Sequence, residues 1–488
     1  MTVDSASENF AIAIIGAGPA GLAAGRELLQ QGFTDFVIFD ALDAPGGTWR
    51  LHSYPGLACD VWAHSYSFSY APNPDWSESF VSQAEIQAYL AQCCTEFGLD
   101  PHLQLNTRIV SAVAEPEGHW ILTTDAGQKQ RFNAVINAMG NQHTPLFPDV
   151  PGRESFAGES WHATRWNHEV DLAGKRVVVV GSAASAVQIV PEIAKQAGQL
   201  TVLQRSANWI MPRGKKPYSA GRRALFRRFP ALIGLLRWWQ RLLMGQVEYA
   251  VTLGHARMGQ FEDRVKRFID DAIEDPALRE ALTPDTPYGC KRGLVSDDFY
   301  PALGRDNVEL VSDSLASVTP EGIVTGAGRH IDADVIIYCT GYRILDYDRI
   351  EVRGPEGTSL ANVMGDAPRA HKGIAVPGFP NYFFAVGPNG LVLNVSYFIT
   401  AEQNVSTIVR LLKTALDEGW HSLDANREAF TDYNQWLDSR FERFSWGSRD
   451  CNSYYRNASG HAPFLFPGNF KEYQEAHEAC GLHEFQLS

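Results

Sequence analysis

The chain has no long hydrophobic run. Nowhere do about 18 uncharged apolar residues follow one another, so no membrane-spanning helix is expected. Positive charge is also in deficit: 42 Lys and Arg stand against 56 Asp and Glu, a formal charge of −14. That balance argues against a nucleic-acid partner held by phosphate neutralisation. The seven cysteines are scattered, odd in number and never in C-x-x-C spacing. Neither a zinc site nor a disulfide framework is indicated, no metal is expected, and reduced thiols in a cytoplasmic protein are the natural reading. Cys93 and Cys94 read as packing on a helix face. Residues 1–9 are polar and acidic, without the basic-then-apolar order of a secretory leader. What remains is ordinary globular material, 45% hydrophobic over 488 residues, enough for roughly two to four domains.

Glycine, by contrast, is plentiful and patterned. Residues 10–40 run from an apolar stretch (Ala11 to Ile15) through Gly16, Gly18 and Gly21 into a helical pattern, then to Val37, Ile38, Phe39 and Asp40. This is strand, glycine turn, helix, strand. Gly16 permits the tight turn, Gly18 lets the backbone approach a pyrophosphate, and Gly21 lets helix and strand pack closely. The helix N-terminus offers free N–H groups to phosphates. Asp40, about 20 residues on, is placed to accept hydrogen bonds from an adenosine ribose. A second such unit begins 165 residues after the first, with Gly181, Ser182, Ala183, Ser185 and Ala186 following an apolar strand at 175–180. Its second strand ends in Arg205 rather than an acid. A base there can pair with a ribose phosphate and so select NADP over NAD. Ala183 stands where the middle glycine belongs and adds a methyl beside the pyrophosphate. The fold class expected is therefore α/β, with two Rossmann-like dinucleotide-binding domains.

Between the units lie Gly46, Gly47, Thr48, Trp49, Tyr54, Pro55, Gly56 and Asp60, in which glycines bring backbone near a ligand and Trp49 and Tyr54 offer aromatic surface. Pro-rich residues 145–151 mark a linker. After it come Phe156, Gly158, His162 and Trp166, in the spacing F-x-G-x-x-x-H-x-x-x-W. At 212–288 the α/β alternation stops. Residues 222–244 are rich in Arg and Trp, interleaved with Leu, Phe and Ile, and 261–281 favour helix. A membrane-surface helix is one reading of this stretch. An inserted helical subdomain over a substrate entrance is the preferred one, because Pro230 and Gly234 interrupt the helix.

Two of these patterns carry a resemblance. The spacing [A/G]-G-x-W-x-x-x-x-[F/Y]-P-[G/M]-x-x-x-D, met in full from Gly46 to Asp60, and the Phe156 to Trp166 pattern resemble the fingerprints of type I Baeyer-Villiger monooxygenases, class B flavoprotein monooxygenases. Asn167 departs from the residue usual after the second fingerprint, and Met139 from the usual Ala-Thr-Gly at a crossing between domains. The resemblance implies FAD on the first unit and NADPH on the second. With dioxygen, one oxygen atom would be inserted beside a ketone carbonyl through a flavin peroxide, giving an ester or lactone. It further implies that Lys291 contacts NADP, that Arg292 is the active-site arginine, that Asp60 orients it, and that the segment with His162 couples domain movement to catalysis. Residues 451–457 resemble the C-terminal loop that closes the site. The division expected is an FAD domain (1–145), an NADP domain (146–211), the helical insert (212–288), the rest of the NADP domain (289–335), and the rest of the FAD domain with the C-terminal loop (336–488). A related monooxygenase oxidising nitrogen or sulfur is the alternative. A disulfide reductase would need a redox cysteine pair that the sequence does not display.

Overall fold

The computed structural model describes residues 10–488 apart from 345, 450, 452, 454, 458 and 459. The polar stretch 1–9, and Asn452 and Tyr454 of the C-terminal loop, lie outside the described residues.

Short, wholly apolar strands need cover on both faces, and this requirement organises the chain into two parallel sheets. In the first, the order is Tyr382–Phe384, Ala134–Asn137, Ile12–Ile15, Phe36–Phe39, Leu103–Gln104. In the second it is Glu159–His162, Val335–Tyr338, Arg176–Val180, Gln199–Leu203, Val308–Val311. Each glycine-motif strand thus sits at the centre of its sheet. Ile12–Ile15 is buried throughout, as are Val177 to Val180 in the second centre. The plan repeats at the next level too. An antiparallel meander stands between the third strand and the returning strand of each unit: Ile109–Ala114, Trp120–Thr124 and Lys129–Phe132 in the first, Leu315–Thr319, Gly322–Thr325 and His330–Asp332 in the second.

The second unit is inserted into the first, so the chain must cross between them twice. The two crossings lie side by side: Leu146 N–H donates to Gly341 O (2.9 Å) and Arg343 N–H to Thr144 O (3.0 Å). Val335–Tyr338 belongs to the second sheet, so the return crossing follows Tyr338 rather than starting at 336. The first unit is completed from the C-terminal half, whose helix Tyr397–Asp417 packs its apolar face on the helix Pro19–Gln30. Cys93 and Cys94 are buried on the helix Gln83–Glu96, as expected from the sequence.

Residues 212–288 form four helices, Ala220–Arg228, Ala231–Val251, Ala256–Ala272 and Pro276–Leu282. Pro230 separates the first two, since it cannot supply the N–H that a continuous helix needs, whereas Gly234, expected to interrupt as well, lies inside the unbroken helix Ala231–Val251. The insert leaves and rejoins the second unit through a two-strand ribbon, Ile210–Met211 beside Leu294–Val295. No helix among the described residues is long and apolar enough to cross a membrane.

Candidate functional site

The first glycine turn is fixed by close backbone approach. Gly16 has φ +112°, and a methyl there would stand 2.5 Å from the carbonyl oxygen of Ala138; at Gly21 it would stand 1.8 Å from Gly16 O. Gly18 differs. A methyl at Gly18 would meet only the backbone of Gly47, its Cα at 3.4 Å and its N at 3.9 Å, both ordinary contacts, so the protein's own packing does not demand glycine here. The helix Pro19–Gln30 begins at Gly18 with no side-chain cap, leaving donors of its first turn for an anion. Asp40 does more than the sequence suggests: Oδ2 accepts the N–H of Ala17 (2.7 Å) and Oδ1 that of Leu42 (2.9 Å), bracing the turn. Burial pushes its carboxyl upward, opposed by those two N–H groups and by Arg349 and Arg108. Gly46 N–H donates to Ala17 O (2.9 Å), laying the Gly46–Gly47 turn and the short helix Thr48–Leu51 against the glycine turn. Trp49, however, is not open aromatic surface. It is buried, and its Nε1–H donates to Tyr66 Oη at 3.1 Å.

The second turn repeats the first in detail. Gly181 has φ +104°, and a methyl there would lie 2.5 Å from Cys339 O, the counterpart of Ala138 O. Ala183 precedes the helix Ala184–Ile193, again without a side-chain cap, and is exposed. Ser182 is buried, its Oγ accepting from Asn208 Nδ2 (3.3 Å). At the end of the strand Gln199–Leu203, Arg205 is exposed and Ser206 Oγ accepts from Lys291 Nζ (2.5 Å), which also donates to Ala207 O (3.1 Å). Burial lowers the pKa of Lys291; Asp285 opposes this and the neighbouring charge of Arg205 adds to it. Two cations and a hydroxyl converge where a phosphate would relieve their repulsion.

The next residue reaches the other way. Arg292 Nη2 lies 2.6 Å from Asp60 Oδ2, in the segment that follows the first unit's Gly46–Gly47 turn. That segment is itself the seam between the units. Tyr54 Oη donates to Gln188 Oε1 (3.2 Å), Gln188 Nε2 donates to Ala58 O (2.9 Å), and a methyl on Gly56 would lie 2.4 Å from Gln188 O. Tyr54, which the sequence places as ligand-facing aromatic surface, is therefore spent on joining the two units.

His162 ends the edge strand Glu159–His162 of the second sheet and is buried, with Nδ1 accepting from the N–H of Thr164 (3.2 Å). Burial pushes its pKa down to about 4, so the ring is neutral near pH 7 and is no ready proton donor. It meets Tyr342 edge-on at 6.0 Å, and Tyr342 stacks on His52 at 5.7 Å. Phe156 lies across Gly158, where a methyl would be 2.7 Å from the ring, and Trp166 packs edge-on to Trp161. The Phe156 to Trp166 segment thus sits on the crossings rather than in the cleft.

One expectation fails. Cys290 and Cys451 form a disulfide, 161 residues apart with Cα atoms at 5.5 Å, fastening the turn that carries Lys291 and Arg292 to the C-terminal loop. Scattered spacing gave no sign of it because only the tertiary fold brings the two segments together. Cys59, Cys93, Cys94, Cys339 and Cys480 are buried free thiols, as expected, each with its pKa raised by burial. Sequence reasoning also passed over Gln188 as a seam residue and Asn389 as an anchor, whose Nδ2 donates to Ala462 O and Leu465 O. Met139 only packs beside the first unit's second core, as a tolerated variation would.

Comparison with known proteins agrees with this geometry. The flavin-binding monooxygenase-like family (FMO-like) matches residues 9–236. A Baeyer-Villiger monooxygenase of Streptomyces coelicolor is 37% identical over 98% of this chain and 93% of its own length. One from Pseudomonas aeruginosa is likewise 37% identical, over 98% of this chain and 92% of its own. Among solved structures, OTEMO in complex with FAD and NADP superposes with a TM-score of 0.88 at 26% identity, covering 99% of this chain and all of that one. With two dinucleotide-binding units joined through a fingerprint segment, and relatives of this identity along nearly its whole length, the chain belongs to the type I Baeyer-Villiger monooxygenases of the class B flavoprotein monooxygenases.

Proposed function

We propose that the protein is an FAD- and NADPH-dependent monooxygenase that uses dioxygen to insert one oxygen atom beside the carbonyl of a small-molecule ketone, giving an ester or lactone. One observation carries the residue assignments: adjacent Lys291 and Arg292 reach to Ser206 of the second unit and Asp60 of the first, joining two cofactor sites at one turn. FAD is held by the first unit, with Gly16, Gly18, Gly21, Asp40, Gly47, Thr48 and Trp49 as its cradle. Here the uncapped helix start and the unforced Gly18 fit a pyrophosphate. NADPH is held by the second, through Gly181, Ser182, Ala183, Ser185, Arg205, Ser206 and Lys291. On this reading the FAD unit comprises 1–145 and 339–488, the NADPH unit 146–211 and 289–338 with Val335–Tyr338 in its sheet, and the helical insert 212–288.

When bound, the two cofactors supply hydride transfer and activation of dioxygen. This chain's own residues supply position and charge. Arg292 is always protonated and presents several donors, so it can hold negative charge as it gathers on the ketone oxygen. Asp60 fixes the direction of that guanidinium. His162, neutral and buried at the crossings, transmits the setting of one unit to the other instead of moving a proton. The crossings and seam keep the two units facing a common cleft, where oriented reactants gain most. A cytoplasmic site of action, the reading taken from the sequence, fits a dependence on NADPH, which the cytoplasm supplies.

The test is NADPH consumption by the purified, FAD-loaded protein across ketones, amines and sulfides, with product identification. Esters or lactones from ketones support the reading; N- or S-oxides alone overturn it.

A further inference from the structure

The insert helix Ala231–Val251 has one face covered by the first unit and a second, apolar face left open. Its inner face carries Ile233, Arg237, Gln240 and Val251. Gln240 Oε1 accepts from Ser65 Oγ (2.7 Å), and Arg237 donates to Phe68 O (2.8 Å), so this face is tied to the first unit just past Asp60. Nearly opposite on the helical wheel, Leu235, Trp238, Trp239 and Leu242 are 50–61% exposed. Helical geometry puts these four on one arc roughly 100° wide. Phe229, 52% exposed, extends the strip at its N-terminal end. Single exposed apolar residues need no explanation, whereas a contiguous strip with paired tryptophans does.

The charge around this strip identifies its occupant. In a chain of net charge −14, residues 212–247 hold seven Arg, two Lys and no Asp or Glu. Arg227 is neutralised by Asp75 (2.6 Å), but Arg223 and Arg228 have no carboxylate partner among the described residues. Two copies of this face brought together would oppose like charges, whereas a plane of anionic headgroups would neutralise them. Trp and Leu at the crest with Arg alongside is the composition of a helix lying in a membrane interface. Arg237 and Arg241 also keep the helix from spanning, in accord with the absence of a spanning helix among the described residues. We infer that the outer face of this insert docks the enzyme peripherally on an anionic lipid surface. The inference uses no feature of the oxygenation chemistry and stands or falls separately from it.

The experiment is flotation of the full-length, FAD-loaded protein with phosphatidylcholine vesicles, with and without phosphatidylglycerol, at physiological salt. Most of the protein is expected to float with the anionic vesicles and little with the neutral ones. Trp238→Glu with Trp239→Glu should abolish flotation, and Arg223→Glu with Arg228→Glu should lower vesicle partition about tenfold or more, while FAD content and NADPH oxidation in solution stay unchanged. If the tryptophan variant does not fold, quenching of the parent's tryptophan fluorescence by brominated lipid in anionic vesicles reads the same contact. Failure of the parent to float, flotation untouched by the tryptophan changes, or a solution dimer that those changes split would each overturn the assignment, the last by giving the face to a second copy.

Discussion

Arg292 Nη2 lies 2.6 Å from Asp60 Oδ2, although the two residues are 232 positions apart and belong to different parts of the fold. Both side chains are partly exposed, at 42% and 29%. Pairs of that kind contribute at most about 1 kcal/mol to stability, so the contact is better suited to aiming the guanidinium than to holding the fold. Asp60→Asn should therefore leave the melting temperature nearly unchanged and FAD bound, while ester formation falls roughly tenfold or more. Thermal unfolding and product analysis on one preparation check both halves.

Arg205 stands exposed at the strand end beside Ser206 and Lys291. Each charge-assisted contact to a phosphate contributes about 1.5–3 kcal/mol, which corresponds to roughly a ten- to hundredfold preference. Arg205→Ala should erase most of the NADPH-over-NADH preference in kcat/KM through a raised KM for NADPH. Equal use of both nucleotides by the unmutated protein would remove the basis for this assignment.

The glycines of the first turn separate fold from ligand. A methyl at position 21 collides with Gly16 O, so Gly21→Ala should destabilise the protein by about 1–3 kcal/mol and release FAD. A methyl at position 18 meets only ordinary contacts, so Gly18→Ala should leave the apoprotein's melting temperature nearly intact and weaken FAD binding. Calorimetry on the apoprotein and flavin titration distinguish the two.

The sequence carried the motif strands, their glycine turns and the paired units, because apolar runs bounded by glycine have few alternatives to a buried parallel strand. Tyr54 shows where legibility ended. Its place in the fingerprint was readable, but its bond to Gln188, 134 positions away, depends on how two units dock. The same holds for Cys290 and Cys451, whose pairing follows only from the C-terminal loop folding over the Lys291 turn. The exposed strip of the insert was ambiguous for another reason: Leu and Trp at helical spacing look alike in sequence whether they face a core or a lipid surface.

Several histidines make stability depend on pH. Burial pushes His52, His64 and His162 to about 4 and His143 to about 3, all below the ordinary value of 6.5. The unfolded chain then binds protons more readily than the folded one. Their contribution is complete above pH 6.5 and is lost as pH falls toward 4, by up to about 3 kcal/mol for each of the first three. His64 offers the cleanest check, since it stacks on Tyr218 and meets Phe226 edge-on while neither ring nitrogen finds a partner among the described residues. His64→Phe should keep the packing and flatten the fall in melting temperature between pH 6.5 and 4.

The central claim is that Arg292 serves oxygen insertion, whereas the two nucleotide units serve reduction. The most direct measurement follows Arg292→Ala with NADPH and a ketone accepted by the parent enzyme, recording NADPH consumed, hydrogen peroxide released and ester formed. FAD should stay bound and NADPH should still be oxidised, somewhat more slowly, with its reducing power recovered as hydrogen peroxide and almost no ester. Ester formation at close to the parent rate would contradict it and move the active-site charge to Lys291 or Arg343.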